Sequence, residues 1–184
     1  MVKLRGRSDT ADDNNTLEIP NQNLSNQDVL ICGFGFGSSA DGLDGDNISG
    51  EDATNDIIEA GDYGKATLNG LGGNDFLRGT LEADTLSGGS GDDTLVGREE
   101  NDELNGGSGQ NTYLPGEGDD TVNGGSGLDI VFYSGERANY TLDNDCSTTS
   151  CTVSGSGDAE LDGSDTLSGV EILIFQDARE DLED

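Results

Sequence analysis

Asp75, Asp84, Asp93, Asp102, Asn111, Asp120 and Asp129 follow one another at intervals of nine residues. Each stands two residues before an apolar side chain: Leu77, Leu86, Leu95, Leu104, Tyr113, Val122 and Val131. Two residues beyond each apolar position come Gly79, Gly88, Gly97, Gly106, Pro115, Gly124 and Tyr133. Ala66, Leu68 and Gly70 carry the same three columns one unit upstream. Carboxylates repeated at a fixed interval among glycines suit the ligation of a hard cation by oxygen. Ca²⁺ takes about six to eight oxygens at roughly 2.3–2.6 Å and accepts carboxylates and carbonyls together, whereas Mg²⁺ demands tighter octahedral geometry.

Other chemistries are less well provided for. The chain has no histidine, which removes His-based triads, proton relays and most zinc sites. Paired carboxylates can hydrolyse glycosides, but every acidic pair lies in the repeat register, where ligation accounts for it. A thin roll offers no pocket in which catalytic groups converge, so no enzymatic activity is expected. Asp44-Gly45-Asp46-Asn47-Ile48-Ser49 begins like an EF-hand loop, but Ile48 stands where an oxygen ligand belongs and no Glu closes the loop. The alternating glycines of Gly33-Phe34-Gly35-Phe36 lack the strand–loop–helix context of a phosphate-binding loop.

A unit of nine residues is too short for a helix–turn–helix repeat but holds a turn of about six and a strand of about three, which points to a solenoid. The Gly-Gly-Ser-Gly form begins at Gly88, Gly106 and Gly124, eighteen residues apart. One coil is therefore two nonapeptides, one on each side of a flattened turn. The apolar residue of each strand points inward, while Thr85 and Ser87, or Thr94 and Val96, point outward. Glycine lets the turn adopt left-handed dihedrals. Coils stack at about 4.8 Å, so Asp75, Asp93, Asn111 and Asp129 form one column and Asp84, Asp102 and Asp120 the other, each ion lying between turns eighteen residues apart. Carboxylates at that separation repel by roughly 3–4 kcal/mol at an effective dielectric near 20, so the roll is not expected to close without a cation. The neutral Asn111 should weaken the sites beside it. Glu82 and Glu100, in place of turn glycines, either add ligands or distort the turn. Pro115, also at a glycine position, is expected to kink the coil.

Composition agrees with a fold that needs help. Only 30% of the 184 residues are hydrophobic and 5% aromatic, with no Trp. The net charge is −31, from 39 acidic and 8 basic residues. Such a chain is disordered by itself, unless the carboxylates are ligands and metal supplies the missing folding energy. Nucleic acid would be repelled. No apolar stretch is long enough for a membrane span. Residues 1–8 are basic but lack the apolar run of a secretory signal peptide, so export is expected to use a route without a cleaved N-terminal signal. Cys146 and Cys151 either close a hairpin disulfide or remain two thiols, with Cys32 left over.

The stretch Gly88-Gly89-Ser90-Gly91-Asp92-Asp93-Thr94-Leu95 resembles the RTX, or haemolysin-type, nonapeptide. The strong likeness spans about residues 70–133 and a weaker one reaches back to about 42. Asp129–Gly135, Tyr140-Thr141-Leu142 and Asp165–Asp177 resemble that family's C-terminal modules. The resemblance implies an all-β fold: a right-handed parallel β-roll with a small antiparallel C-terminal β cap, built from residues 128–175. Together with the polar composition of residues 1–28 and the need of a solenoid for an end cap, it divides the chain into a flexible arm (1–28), degenerate repeats and first strands (29–69), the calcium-binding roll (70–133) and a cap with a candidate type I export region (134–184). It implies several Ca²⁺ ions held by the carbonyls and side chains of Gly73, Asp75, Asp84, Gly89, Gly91, Asp93, Asn101, Asp102, Gly107, Gly109, Asn111, Gly116, Gly118, Asp120, Gly125, Gly127 and Asp129. It further implies a bacterial protein exported by a type I secretion system, which orders outside the cell where calcium is abundant. A different reading is an accessory module of a secreted enzyme or adhesin, like the repeat modules of alginate epimerases, binding an extracellular polysaccharide along the roll. Arg78 and Arg98 are nearly the only basic residues of the roll, which argues against an anionic glycan.

Overall fold

The computed structural model describes residues 2–4, 16–17, 29–32, 46–50, 55–62, 64–143, 150–157 and 162–182. Two sheets form the two sides of a roll. The first holds β1 (Val2–Leu4), β3 (Val29–Cys32), β5 (Ile57–Glu59), β7 (Phe76–Arg78), β9 (Thr94–Arg98), β11 (Thr112–Gly116), β13 (Ile130–Phe132), β17 (Ile172–Ile174) and β18 (Arg179–Asp181), in that order. The second holds β2 (Thr16–Leu17), β4 (Asp46–Ser49), β6 (Ala66–Gly72), β8 (Thr85–Ser90), β10 (Glu103–Ser108), β12 (Thr121–Ser126), β16 (Ser164–Ser168), β15 (Ser150–Gly155) and β14 (Tyr140–Leu142). From β1 to β13 the chain alternates between them, as a repeat of two nonapeptides requires. Among the described residues there is no α-helix, and a short 3-10 turn lies at Arg137–Asn139.

The apolar column sets the register. Leu68, Leu86, Leu104, Val122 and Leu167 lie opposite one another in parallel pairs on one side. Ile58, Leu77, Leu95, Tyr113, Val131 and Leu173 do so on the other. All are fully buried, and apart from the buried Ile172 beside Leu173 the residues on either side of them alternate outward, as a strand demands. This interior is narrow: each nonapeptide gives it one large side chain, while the entropy cost of ordering falls on all nine residues. Pro115 introduces no kink, because β11 stays in register with β9 at Leu114 before it and Gly116 after it.

Both ends extend the stack further than the repeats suggest. β1 and β2, the described pieces of the stretch expected as an arm, pair parallel with β3 and β4. At the other end the expected antiparallel closure is present in β14–β15–β16 and in β17–β18. β16 and β17, however, first add one more parallel rung, on β12 and β13. Three rings seal this end: the centroid of Tyr133 lies 5.0 Å from Tyr140 and 5.5 Å from Phe175. Cys151 is buried opposite Leu167, and Cys146 lies outside the described residues.

Candidate metal centre

The turns between strands are built for oxygen. In the turn from Gly88 to Asp93, Gly89 and Gly91 have φ of +110° and +124°. A Cβ at Gly91 would collide with the carbonyl oxygen of Gly73, one coil earlier, and at Gly109 with that of Gly91. Glycine is therefore required twice over, by dihedral and by close approach. The same pair of left-handed positions recurs at Gly107 and Gly109, Gly116 and Gly118, and Gly125 and Gly127. It is kept without glycine at Leu71 (+74°), Arg98 (+104°) and Glu100 (+64°), at a cost of about 1–2 kcal/mol each. The result is a file of main-chain carbonyls running along each edge from coil to coil.

A file of carboxylates runs beside it. Asp75 Oδ1 accepts the N–H of Asp56 (2.7 Å), Asp93 Oδ1 that of Asp75 (2.8 Å), and Asn111 Oδ1 that of Asp93 (3.0 Å). Asp129 Oδ1 accepts the N–H of Asn111 (3.0 Å), and Glu171 ends the column by accepting that of Asp129 (2.7 Å). On the opposite edge Asp84, Asp102, Asp120 and Asp165 take the N–H groups of Ala66, Asp84, Asp102 and Asp120 at 2.6–2.9 Å. One oxygen of each side chain thus braces the stack. The second oxygen, Oδ2, of Asp75, Asp93, Asp102, Asp120 and Asp129 is buried and accepts no hydrogen bond.

A buried carboxylate oxygen without a partner is costly, and the ionisation equilibria record it. Burial pushes Asp75 up to about 7, Asp102 to about 8 and Asp120 to about 6. It raises Asp84, Asp93 and Asp129 as well. The N–H donors oppose the shift, and neighbouring carboxylates add to it, as Asp120 and Asp84 do for Asp102.

This donor set fits a calcium ion. Apart from one amide nitrogen at Asn111, every unpartnered buried side-chain polar atom of the described residues is a carboxylate oxygen, and carboxylates beside main-chain carbonyls are the mixture a hard, high-coordination cation takes. Among the described residues no three carboxylate, thiol or imidazole side chains gather at one point, so a site must draw on carbonyls as much as on side chains. The sequence profile of the RTX calcium-binding nonapeptide repeat, which comprises four copies, matches residues 60–81, 78–113 and 116–135. These residues are RTX calcium-binding repeats. The RTX match includes every aspartate with an unpartnered Oδ2, and a β-roll of such repeats binds Ca²⁺. No curated protein matches the chain.

The expected ligands sort into groups. Asp75, Asp93, Asp102, Asp120 and Asp129 each present a spare oxygen, and Gly73, Gly89, Gly91, Gly107, Gly109, Gly116, Gly118, Gly125 and Gly127 hold the left-handed positions. Asn111 keeps its place in the column but turns an unpartnered Nδ2 where the others have oxygen. Beside it the Tyr113 hydroxyl, longer than the leucines of its column, occupies the space next to Gly106 and donates to Gly124 O at 3.3 Å. Asp84 differs: its Oδ2 accepts the N–H of Thr80 at 2.5 Å. Asn101 lies outside the carboxylate column, in a second file that accepts the N–H of Asp119 at 3.0 Å.

That outer file escaped the sequence reading. Asn55 accepts the N–H of Asn74, Asn74 that of Asp92, and Asp92 that of Gln110, at 2.7–2.9 Å. Asp119 accepts that of Ser164 at 2.8 Å. It runs opposite to the inner file: there the later side chain accepts from the earlier coil, here the earlier accepts from the later. An Asn or Asp just before the column aspartate was the available signal.

Proposed function

We propose that the chain is a calcium-responsive folding module of a secreted bacterial protein, unfolded at the low calcium of the cell interior and ordered outside. The observation that supports this most is the row of buried, unpartnered carboxylate oxygens stacked at the spacing of the coils. Without cations these edges oppose folding. With Ca²⁺ they hold it together, so the ion supplies the cohesion that one side chain per nonapeptide cannot. Export by a type I system with an uncleaved C-terminal signal in residues 134–184 completes the proposal. The reading assigns the chain no reaction.

Circular dichroism during a calcium titration tests it. A disordered spectrum in chelator and a steep gain of β-signal with a midpoint of about 10⁻⁴–10⁻³ M are expected, with Mg²⁺ far less effective. A chain already compact in EDTA, or one that Mg²⁺ folds equally well, contradicts the proposal. For export, the full chain should appear in the medium of cells carrying a type I system and a chain lacking residues 134–184 should not.

One observation favours a second reading, a module that holds a neutral extracellular polysaccharide. The outer face of β9, β11 and β13 carries Val96, Leu114, Ile130 and Phe132, where that of β8, β10 and β12 is polar. It carries a cavity of about 290 Å³ lined by Val96, Leu114, Phe132, Tyr133, Arg98 and Asp162, among others, with apolar walls and few polar groups as ligand sites have. Retention on neutral but not acidic glycan columns in calcium, lost in Phe132→Ala, would support it.

A further inference from the structure

Two turns lack glycine at the second and fourth places, and from sequence they look equally degenerate: Gly79-Thr80-Leu81-Glu82-Ala83-Asp84 and Gly97-Arg98-Glu99-Glu100-Asn101-Asp102. The structure separates them. Arg98 and Glu100 adopt the left-handed dihedrals of the glycines they replace, and Asp102 Oδ2 stays buried without a partner. In the other turn neither Thr80 nor Glu82 has positive φ. Thr80 is buried, and its N–H donates to Asp84 Oδ2 at 2.5 Å. Its hydroxyl donates to Asp84 Oδ1 at 3.2 Å and accepts the N–H of Glu82 at 3.0 Å. Asp84 Oδ1 also holds the N–H of Ala66 at 2.6 Å. The carboxylate that would face an ion is thus saturated by its own turn.

A positive charge is supplied here by the chain as well. The Arg98 guanidinium reaches back past this turn to Asp62, 36 residues earlier, at 3.0 Å, and lies 3.5 Å from Gly61 O. One coil upstream the column position is Ala66, with no carboxylate to offer. We propose that Thr80 and Arg98 replace a calcium ion at the 79–84 turn, so that this edge of the roll is metal-free from residue 61 to 84 and its calcium sites begin at Gly97. The opposite edge is competent three nonapeptides earlier, from the turn Gly70 to Asp75, where Leu71 and Gly73 keep the left-handed positions and Asp75 Oδ2 is spare. This deepens the calcium reading above and rests on it.

Bound ions per chain, counted by equilibrium dialysis and native mass spectrometry of the full chain in Ca²⁺, test the assignment. Restoring the repeat with Thr80→Gly and Glu82→Gly together should add one ion. Asp84→Asn should leave the wild-type count unchanged, and Asp102→Asn should lower it. An unaltered count in a double variant that folds, or an Asp84→Asn variant that loses as many ions as Asp102→Asn, overturns the proposal. If the double variant fails to fold, the comparison of Asp84→Asn with Asp102→Asn decides. A wild-type chain that binds no calcium would instead refute the functional reading itself.

Discussion

Asp102→Asn separates the two duties of a column aspartate. The amide keeps an oxygen for the N–H of Asp84, now held at 2.7 Å, and Asn111 shows that the column accommodates it. What disappears is a charge. Burial and the flanking Asp120 and Asp84 push the Asp102 carboxyl up to about 8, so without metal the folded chain must take up a proton here at neutral pH. For a group with an ordinary value near 4, that uptake costs on the order of 4 kcal/mol at pH 7, and about half that once solvent screening is allowed for. Asp102→Asn should therefore stabilise the metal-free roll by roughly 2–4 kcal/mol. Asp102→Ala should gain little, because the orphaned N–H of Asp84 costs about 1–3 kcal/mol. In calcium the sign reverses. Losing a buried charged partner of the ion costs on the order of 3 kcal/mol, roughly a hundredfold in affinity. Osmolyte-driven folding in EDTA, followed by circular dichroism, measures the first effect, and a calcium titration the second. If both substitutions destabilise equally in EDTA, or if Asp102→Asn leaves the calcium midpoint in place, the two-duty account is wrong.

The metal-free chain should fold better in acid. Asp75, Asp102, Asp120 and Asp165 sit at about 7, 8, 6 and 8 in the folded state, so the folded chain binds more protons than the unfolded one. Their stabilising protonation is complete below about pH 4 and is lost as pH rises through 6–8. Lowering pH from 8 to 5 in EDTA should increase β-signal, and in calcium it should weaken binding, since protons and Ca²⁺ compete for the same oxygens. A spectrum and midpoint flat over that range would count against this. Glu100→Gly, at φ +64°, should relieve about 1 kcal/mol of backbone strain and lower the calcium midpoint several-fold, and an unchanged or higher midpoint would mean that the Glu100 side chain contributes. Tyr133→Phe removes the donor to Asp165 Oδ2 at 2.8 Å and should cost about 1–3 kcal/mol in calcium, read from denaturant melts.

The roll was legible because two periods coincide. Alternation of two fixes which side chain of a strand faces in, and recurrence of nine fixes which strand stacks on which, so Leu86, Leu104 and Val122 could be placed before any coordinates. The column aspartates followed from the same register. The outer file of Asn74, Asp92 and Asp119 did not, because its position varies among Asn, Asp, Gln, Ala and Leu and one side-chain oxygen there suffices. Asp165-Thr166-Leu167 repeats the Asp84-Thr85-Leu86 pattern and keeps the nine-residue count, but Ala138, Ser147 and Ser156 hold the column positions between, so its return to the parallel stack was hidden. Thr80 carried no signal either. Its role depends on a backbone shape that only the folded turn reveals.

That return has a consequence for how such molecules can grow. The ladder contact from Asp102 to Asp120 spans 18 residues, while the next one, from Asp120 to Asp165, spans 45. Closing the longer loop costs only about 0.8 kcal/mol more in chain entropy, because the penalty rises with the logarithm of length. A detour between two rungs is therefore cheap as long as the chain comes back with the right three residues. The architecture can accept inserted hairpins or whole appended surfaces anywhere along its length, and here one such detour has become the lid over the open end.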